Sequence, residues 1–239
     1  MRRLAALGIA AGVSRAVYEG LRRSSADARW IRTNHAGRSV GLYAGPAVAL
    51  GAALGTGSGP AALAVLAAGA CGAYDDVRKD HRRGFRAHLT ALRDGEVTSG
   101  AVKLLGIGAA SLVAGSLLKE RAVDKVLAGV VIAGTAHLVN LVDVRPGRAA
   151  LTVLAIGAPG LVRGSLAAAP MGAAVAVLGD DLGERTMLGD TGAHALGAGV
   201  GAAIAAGNGR LGLAAHAAAL IAAATWGECE AASRAHPSE

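Results

Sequence analysis

Six aspartates stand where apolar sequence gives way to polar sequence, and their grouping suggests work on a strongly charged ligand. Asp75 and Asp76 are adjacent, Asp143 follows Asn140 by three residues, Asp190 sits inside Leu188-Gly189-Asp190-Thr191-Gly192, and Asp180 and Asp181 lie shortly before it. Carboxylates at a membrane boundary are costly unless they are solvated, paired or bound to a cation. Gathered into one cleft they would repel one another, and a hard divalent cation would relieve that. Magnesium is the natural candidate, because it takes oxygen ligands from carboxylates, water and substrate phosphate. Mn2+ is the alternative metal. Any single aspartate could instead be a solvated loop acid or a helix cap. Basic residues follow the acids: Lys79, Arg82 and Arg83 after the Asp pair, Arg145 and Arg148 after Asp143. Such side chains clamp phosphate oxygens, although a positively charged cytoplasmic face would also put them there. Asn140 and Asp143 would share a helix face, with His137 one step earlier. A further polar island, Asn34-His35-Ala36-Gly37, precedes another apolar run, and His35 could touch a phosphate or simply sit in a polar loop.

The elements that must position these groups are apolar. Of 239 residues 53% are hydrophobic and 17% charged, too oily a mixture for a soluble domain of this length. Nine apolar runs, at 4–18, 40–55, 60–74, 101–118, 126–142, 149–162, 165–178, 191–207 and 211–226, approach the length that crosses a bilayer as a helix. The expected fold is therefore all-α, a polytopic bundle of about nine transmembrane helices in one domain spanning 1–239. The 36 glycines suit close helix packing in lipid. If every run spans, the loops holding Asn34, Asp75/Asp76, Asp143 and Asp190 share one side, and that side carries about twice the Lys and Arg of the other. The positive-inside rule then places it in the cytoplasm. The loop at 75–100 is the expected soluble element, with Phe85, Leu89 and Leu92 spaced for a short amphipathic surface helix. A short polar tail is expected at 227–239. The opening Met1-Arg2-Arg3 and its apolar run resemble the first two regions of a signal peptide, but without a clear cleavage site the run reads as a retained helix. The net charge of +7 comes without an aromatic-studded basic surface, so nucleic acid is not an expected partner. Cys71 and Cys229 have no metal-site spacing.

Taken together and in order, these islands resemble the motifs of the polyprenyl-phosphate N-acetylhexosamine-phosphate transferase superfamily. The segment from Asn34-His35-Ala36-Gly37 to Tyr43-Ala44-Gly45 is similar to its first cytoplasmic motif, and Gly72-Ala73-Tyr74-Asp75-Asp76 to its Asp-Asp motif. Asn140-Leu141-Val142-Asp143 is similar to its Asn-x-x-Asp motif, Leu188-Gly189-Asp190-Thr191-Gly192 to its Gly-Asp-x-Gly motif, and Arg83-Gly84-Phe85 to its basic-Gly-apolar segment. The resemblance covers nearly the whole chain. It implies a magnesium-dependent transfer of a sugar phosphate from a UDP-sugar to polyprenyl phosphate, releasing UMP, in the inner (cytoplasmic) membrane with the active site facing the cytoplasm. By motif position it implies Asp76 and Asp190 as metal contacts and Asp75, Asp76 and Asp190 as the catalytic acids. Asp75 would orient or deprotonate the lipid phosphate, and Asn140 and Asp143 would hold the nucleotide. Asn34, His35, Lys79, Arg83, Arg145 and Arg148 complete the implied substrate-binding set.

The chain departs from the family pattern at His137, Pro146 and Ala193-His194, and it lacks a His-rich segment in its last loop. The sugar donor and the choice between direct attack and a covalent Asp intermediate stay open, as does a homodimer. Two other readings compete: a catalytically silent polyprenyl-phosphate-binding scaffold of envelope synthesis, and a small-solute transporter. Transporters place their ion sites near the membrane midplane, whereas these acids gather at one surface.

Overall fold

Each apolar run folds as a helix in the computed structural model, which describes residues 2–24, 28–78 and 90–235. The helices are α1 (Arg2–Ser24), α2 (Ala44–Gly55), α3 (Gly59–Arg78), α4 (Ser99–Leu118), α5 (Ala122–Val142), α6 (Arg148–Arg163), α7 (Ala168–Leu182), α8 (Gly189–Gly207) and α9 (Arg210–Ala235). Between α1 and α2 the chain forms a 3-10 turn, Ala28–Trp30, and a two-stranded antiparallel hairpin of β1 (Ile31–Thr33) and β2 (Ser39–Gly41), with Arg32 opposite Val40. Three-residue strands carry too little alternation to announce themselves, and the all-α expectation did not include this hairpin.

Small residues set the packing. On α1, Ala6, Ala10, Ser14 and Tyr18 are buried, one i, i+4 ridge. It meets glycines on two neighbours: a methyl group on Gly51 of α2 would strike Ser14 Oγ, and one on Gly172 of α7 would come within 2.3 Å of the Leu7 carbonyl oxygen. Helix α8 is the axis of the bundle, with an unbroken buried stretch from Thr191 to Ala202. Gly197 and Gly201 of α8 lie against the α5 backbone at Ala136 and Ile132, so close that any side chain there would collide. Such close approach replaces the hydrophobic drive that lipid surroundings do not supply.

Three helices, Arg2–Ser24, Ser99–Leu118 and Ala122–Val142, are long and apolar enough to cross a membrane. On α4 the large side chains Leu104, Leu105, Leu112, Val113 and Leu117 are exposed, an outward apolar face that water would not favour. The other helices fall short of that standard in different ways. Helix α2 has 12 residues, a length of roughly 18 Å against an apolar core of about 30 Å. Helices α3, α8 and α9 have the length, but glycines and polar residues, among them Asp75 and Asp76 on α3 and Asp190 and His194 on α8, lower their apolar character.

Helix ends settle where the polar islands lie. Helix α3 runs on to Arg78, so Asp75 and Asp76 stand on its last turn rather than in the following loop. Helix α9 continues through the start of the expected polar tail to Ala235. Of the amphipathic helix expected at Phe85, Leu89 and Leu92, residues 90–93 are described and are helical, with Leu92 half-buried, and the rest lies outside the described residues. Cross-helix hydrogen bonds bring the end of α3 to the start of α8, and the end of α7 to the start of α6.

Candidate active site

Asp76 joins the two helices that carry the paired acids and the Gly-Asp motif. Its Oδ1 accepts from the Asp190 amide at 3.2 Å, and its Oδ2 accepts from the Thr191 amide at 2.9 Å and the Thr191 hydroxyl at 2.6 Å. A helix start leaves amide donors unsatisfied and carries positive dipole charge. Asp76 therefore caps α8 from across the bundle, a task usually done by the residue before a helix. The fit needs Gly189, which has φ +61 and whose Cα comes so near that a methyl group there would lie 2.9 Å from Asp76 Oδ2. It also needs Gly72, where a methyl group would lie 2.3 Å from the Asp190 carbonyl oxygen.

Asp75, beside it, turns to a different partner. Lys103, on the first turns of α4, places its ammonium 2.6 Å from Asp75 Oδ2 and also bonds Asp190 Oδ2. The Lys103 side chain is only 18% exposed. Lys103 therefore bridges Asp75 of α3 and Asp190 of α8 through one ammonium. Arg32 of the hairpin adds positive potential at Asp190.

Asp143 ends α5, its amide donating to the Asn140 carbonyl at 3.2 Å. Burial and then the charges of Asp181, Asp190 and Asp76 push its carboxyl up to about 7, so these four acids share one electrostatic neighbourhood. Asp181 is a second cross-helix cap, accepting from the Gly147 amide at 2.8 Å at the start of α6. Asn140 is half-buried one turn before Asp143. His194 is buried with Nδ1 2.8 Å from the Asp190 carbonyl oxygen; that oxygen only accepts, so Nδ1 carries a proton.

The first island is built around its own turn. Asn34 Oδ1 accepts from the Ala36 and Arg38 amides at 3.0 and 2.8 Å, and its Nδ2 donates to Glu184 Oε2 at 2.7 Å. This ties the hairpin to the loop before α8, where Glu184 holds a left-handed backbone with φ 54. Met187 and Thr186 reinforce the tie by donating to the Gly41 carbonyl. His35 is exposed on the turn, and Arg145 and Arg148 are exposed beside Asp143. Lys79 and Arg83 lie outside the described residues. The structure thus brings Asp75, Asp76, Asp143 and Asp190 together, and Asn34 one loop away.

Sequence reading missed Lys103 as part of this cluster. The available signal was a lone charge at the head of an apolar run, which in a membrane helix marks a functional position by default. It also missed Glu184 and the Thr191 hydroxyl, which have no periodic or spacing signature.

Asp75, Asp143 and Asp190 offer the hard oxygen donors that Mg2+ takes. Asp76 has both oxygens engaged, and a metal contact there would displace part of the α8 cap. Among the described residues no group of three or more His, Cys, Asp or Glu side chains is already arranged to hold a metal ion. No protein-family model matches the chain, and a search of the curated proteins finds no match.

Proposed function

We propose that the protein is a membrane transferase that moves a sugar phosphate from a UDP-sugar to polyprenyl phosphate at the cytoplasmic face, releasing UMP. One observation carries the reading: Asp76 caps α8 while Asp75 and Asp190 share the Lys103 ammonium, so motifs more than a hundred residues apart meet at one end of the bundle beside Asp143.

In the proposed reaction an oxygen of the polyprenyl phosphate attacks the β-phosphorus of the UDP-sugar. The bond from that phosphorus to the bridging oxygen breaks, and UMP leaves with the electron pair. Magnesium, when bound, would neutralise diphosphate oxygens, with Asp190, Asp75 and Asp143 as the donors. Asp75 orients the acceptor phosphate or takes its proton. Lys103 and Arg32 supply fixed positive charge for the phosphates, and the exposed Arg145 and Arg148 flank the nucleotide. The nine helices are read as spans and half-spans of a cytoplasmic (inner) membrane, with the acids facing inward and the prenyl chain lying between helices.

The test is incubation of purified protein with Mg2+, polyprenyl phosphate and a panel of UDP-sugars, following lipid-linked product and UMP. Product with one or more donors supports the proposal. Tight binding of polyprenyl phosphate with no turnover on any donor rejects it in favour of a scaffold.

A further inference from the structure

We propose that Arg15 and Arg22, laid over the ring of Tyr18, form a binding site for the phosphate of an anionic phospholipid headgroup. The site stands on α1 beside the end of α7, apart from the cluster of Asp75, Asp76, Asp143 and Asp190, and it does not rest on the transferase reading.

Four arginines surround two acids there. Arg15 and Arg185 pair with Asp180 at 2.6 and 2.7 Å, and Arg15, Arg22 and Arg23 share Glu19. The arginine side chains are 48–79% exposed, whereas Asp180 and Glu19 are 10% and 19% exposed, so the acids are covered and positive charge faces outward. Glu184, next to Arg185, does not offset it, because it is taken by Arg38 and Asn34. A guanidinium that gives one edge to a carboxylate keeps further N–H donors for a phosphate. The second observation lies beneath. The guanidinia of Arg15 and Arg22 stand 5.5 and 6.0 Å from the Tyr18 ring centre, and the Tyr18 hydroxyl is fully buried without a hydrogen-bond partner. The only other such side-chain atom among the described residues is the Ser14 hydroxyl, one turn deeper on the same ridge. Buried polar groups are nearly always partnered, so Tyr18 points to an acceptor that the chain does not supply. A phosphate oxygen entering between the two guanidinia, which ride on flexible stems, supplies it. Positive-inside placement explains arginines on this face but not their position over an orphaned hydroxyl. A lipid source follows from the place. Helix α1 is long and apolar enough to cross a membrane, and its charge-free stretch from Leu4 to Ser14 ends at Arg15. Arg15 is in turn tied to the last turn of α7, so the cations stand where a bilayer presents its headgroups. Basic pockets between membrane helices on the cytoplasmic side hold anionic headgroups.

The test uses the full-length protein in mild detergent, with dioctanoyl phosphatidylglycerol and dioctanoyl phosphatidylcholine as probes and native mass spectrometry to count bound lipid. A basic residue beside an anionic headgroup contributes about fivefold in affinity. The two guanidinia should therefore give the wild type a preference of about 25-fold for phosphatidylglycerol, and Arg22→Gln should lower that affinity about fivefold. Tyr18→Phe removes a hydroxyl that pairs with nothing in the lipid-free protein, so without the anionic lipid it should melt no lower than the wild type. It should nevertheless bind phosphatidylglycerol at least about tenfold more weakly, a split that a merely structural tyrosine would not show. Arg121→Gln makes the same charge change at the opposite end of the bundle and should leave binding unchanged. Equal affinity for the two lipids in the wild type, unchanged affinity in Arg22→Gln or Tyr18→Phe, or an equal loss in Arg121→Gln overturns the inference. Displacement of the lipid by inorganic phosphate at equal concentration would mark a free-anion site and overturn it as well. If the variants do not fold, phenylglyoxal labelling of the wild type decides the question. Phosphatidylglycerol should shield Arg15 and Arg22 while Arg121 reacts as before, and no shielding overturns the inference equally.

Discussion

Gly72→Ala tests how tightly the site depends on two helices touching. The new methyl group would lie 2.3 Å from the Asp190 carbonyl oxygen, 2.5 Å from its carbonyl carbon and 2.7 Å from the Thr191 nitrogen. All three are backbone atoms, so no side chain can swing away. Ordinary carbon contacts need roughly 3.5 Å, and α3 must therefore retreat from the head of α8 by about 1 Å. Overpacking of this kind costs about 1–3 kcal/mol, or roughly 2–12 °C in melting temperature for a chain of this size. The same retreat stretches the 2.9 Å bond from the Thr191 amide to Asp76 beyond hydrogen-bond reach. A 1 Å misplacement at a reacting centre costs on the order of a hundredfold in rate. Melting in nanodiscs and UMP release should both report the damage. Gly69→Ala, one turn earlier, is the control, because its methyl group would meet the Ala49 and Ala195 methyls at 3.1 and 3.4 Å and the Thr191 carbonyl oxygen at an ordinary 3.8 Å, and should cost far less. Equal melting temperature and equal turnover in Gly72→Ala and the wild type would refute the account of how the acids are positioned.

Asp190→Asn removes the charge shared with Lys103 and should lower UMP release by at least about a hundredfold while the protein still elutes as a folded species. Asp76→Asn turns one acceptor into a donor facing the α8 amides, and it should both lower the melting temperature and abolish turnover. Asp143 is raised to about 7 in the folded protein from an ordinary value of 3.8, so the folded state holds a proton that the unfolded state has lost between those values. This contribution therefore falls as pH rises from about 4 to 7, and Asp143→Asn should flatten the melting profile across that window. In the same range metal affinity should rise with pH as the proton is displaced, which a Mn2+ titration reads. Asn34→Ala removes the one oxygen that accepts both turn bonds and the Glu184 link and should destabilise by about 1–3 kcal/mol, measured by thermal melting.

What could be read from the chain alone was the course of the helices and the residues at their mouths. Blocks of Ala, Val, Leu and Gly marked the nine long helices among the described residues, with ends displaced by a turn or less in most cases, because a buried or lipid-facing helix needs apolar residues on every side. The exceptions have physical reasons. Helix α3 carries Asp75 and Asp76 inside its last turn because one caps α8 and the other meets Lys103, and polarity alone had suggested a loop. The hairpin is held by side-chain turn bonds from Asn34, not by alternation. The alternatives weighed for Asp76 were a metal contact, a solvated acid and a cap; a carboxylate capping a helix more than a hundred residues later has no local spacing to betray it. One lysine near the end of an apolar run looks like any residue reaching for the interface, so the sequence does not single out Lys103 as the partner of these acids.

The most direct test follows the phosphorus. With a UDP-sugar radiolabelled only in its β-phosphate, purified wild-type protein, Mg2+ and polyprenyl phosphate, the account predicts label in the lipid fraction, unlabelled UMP in the aqueous fraction, and neither in Asp190→Asn. Label released as UDP with sugar alone on the lipid, or no lipid-linked product with any donor, would contradict it.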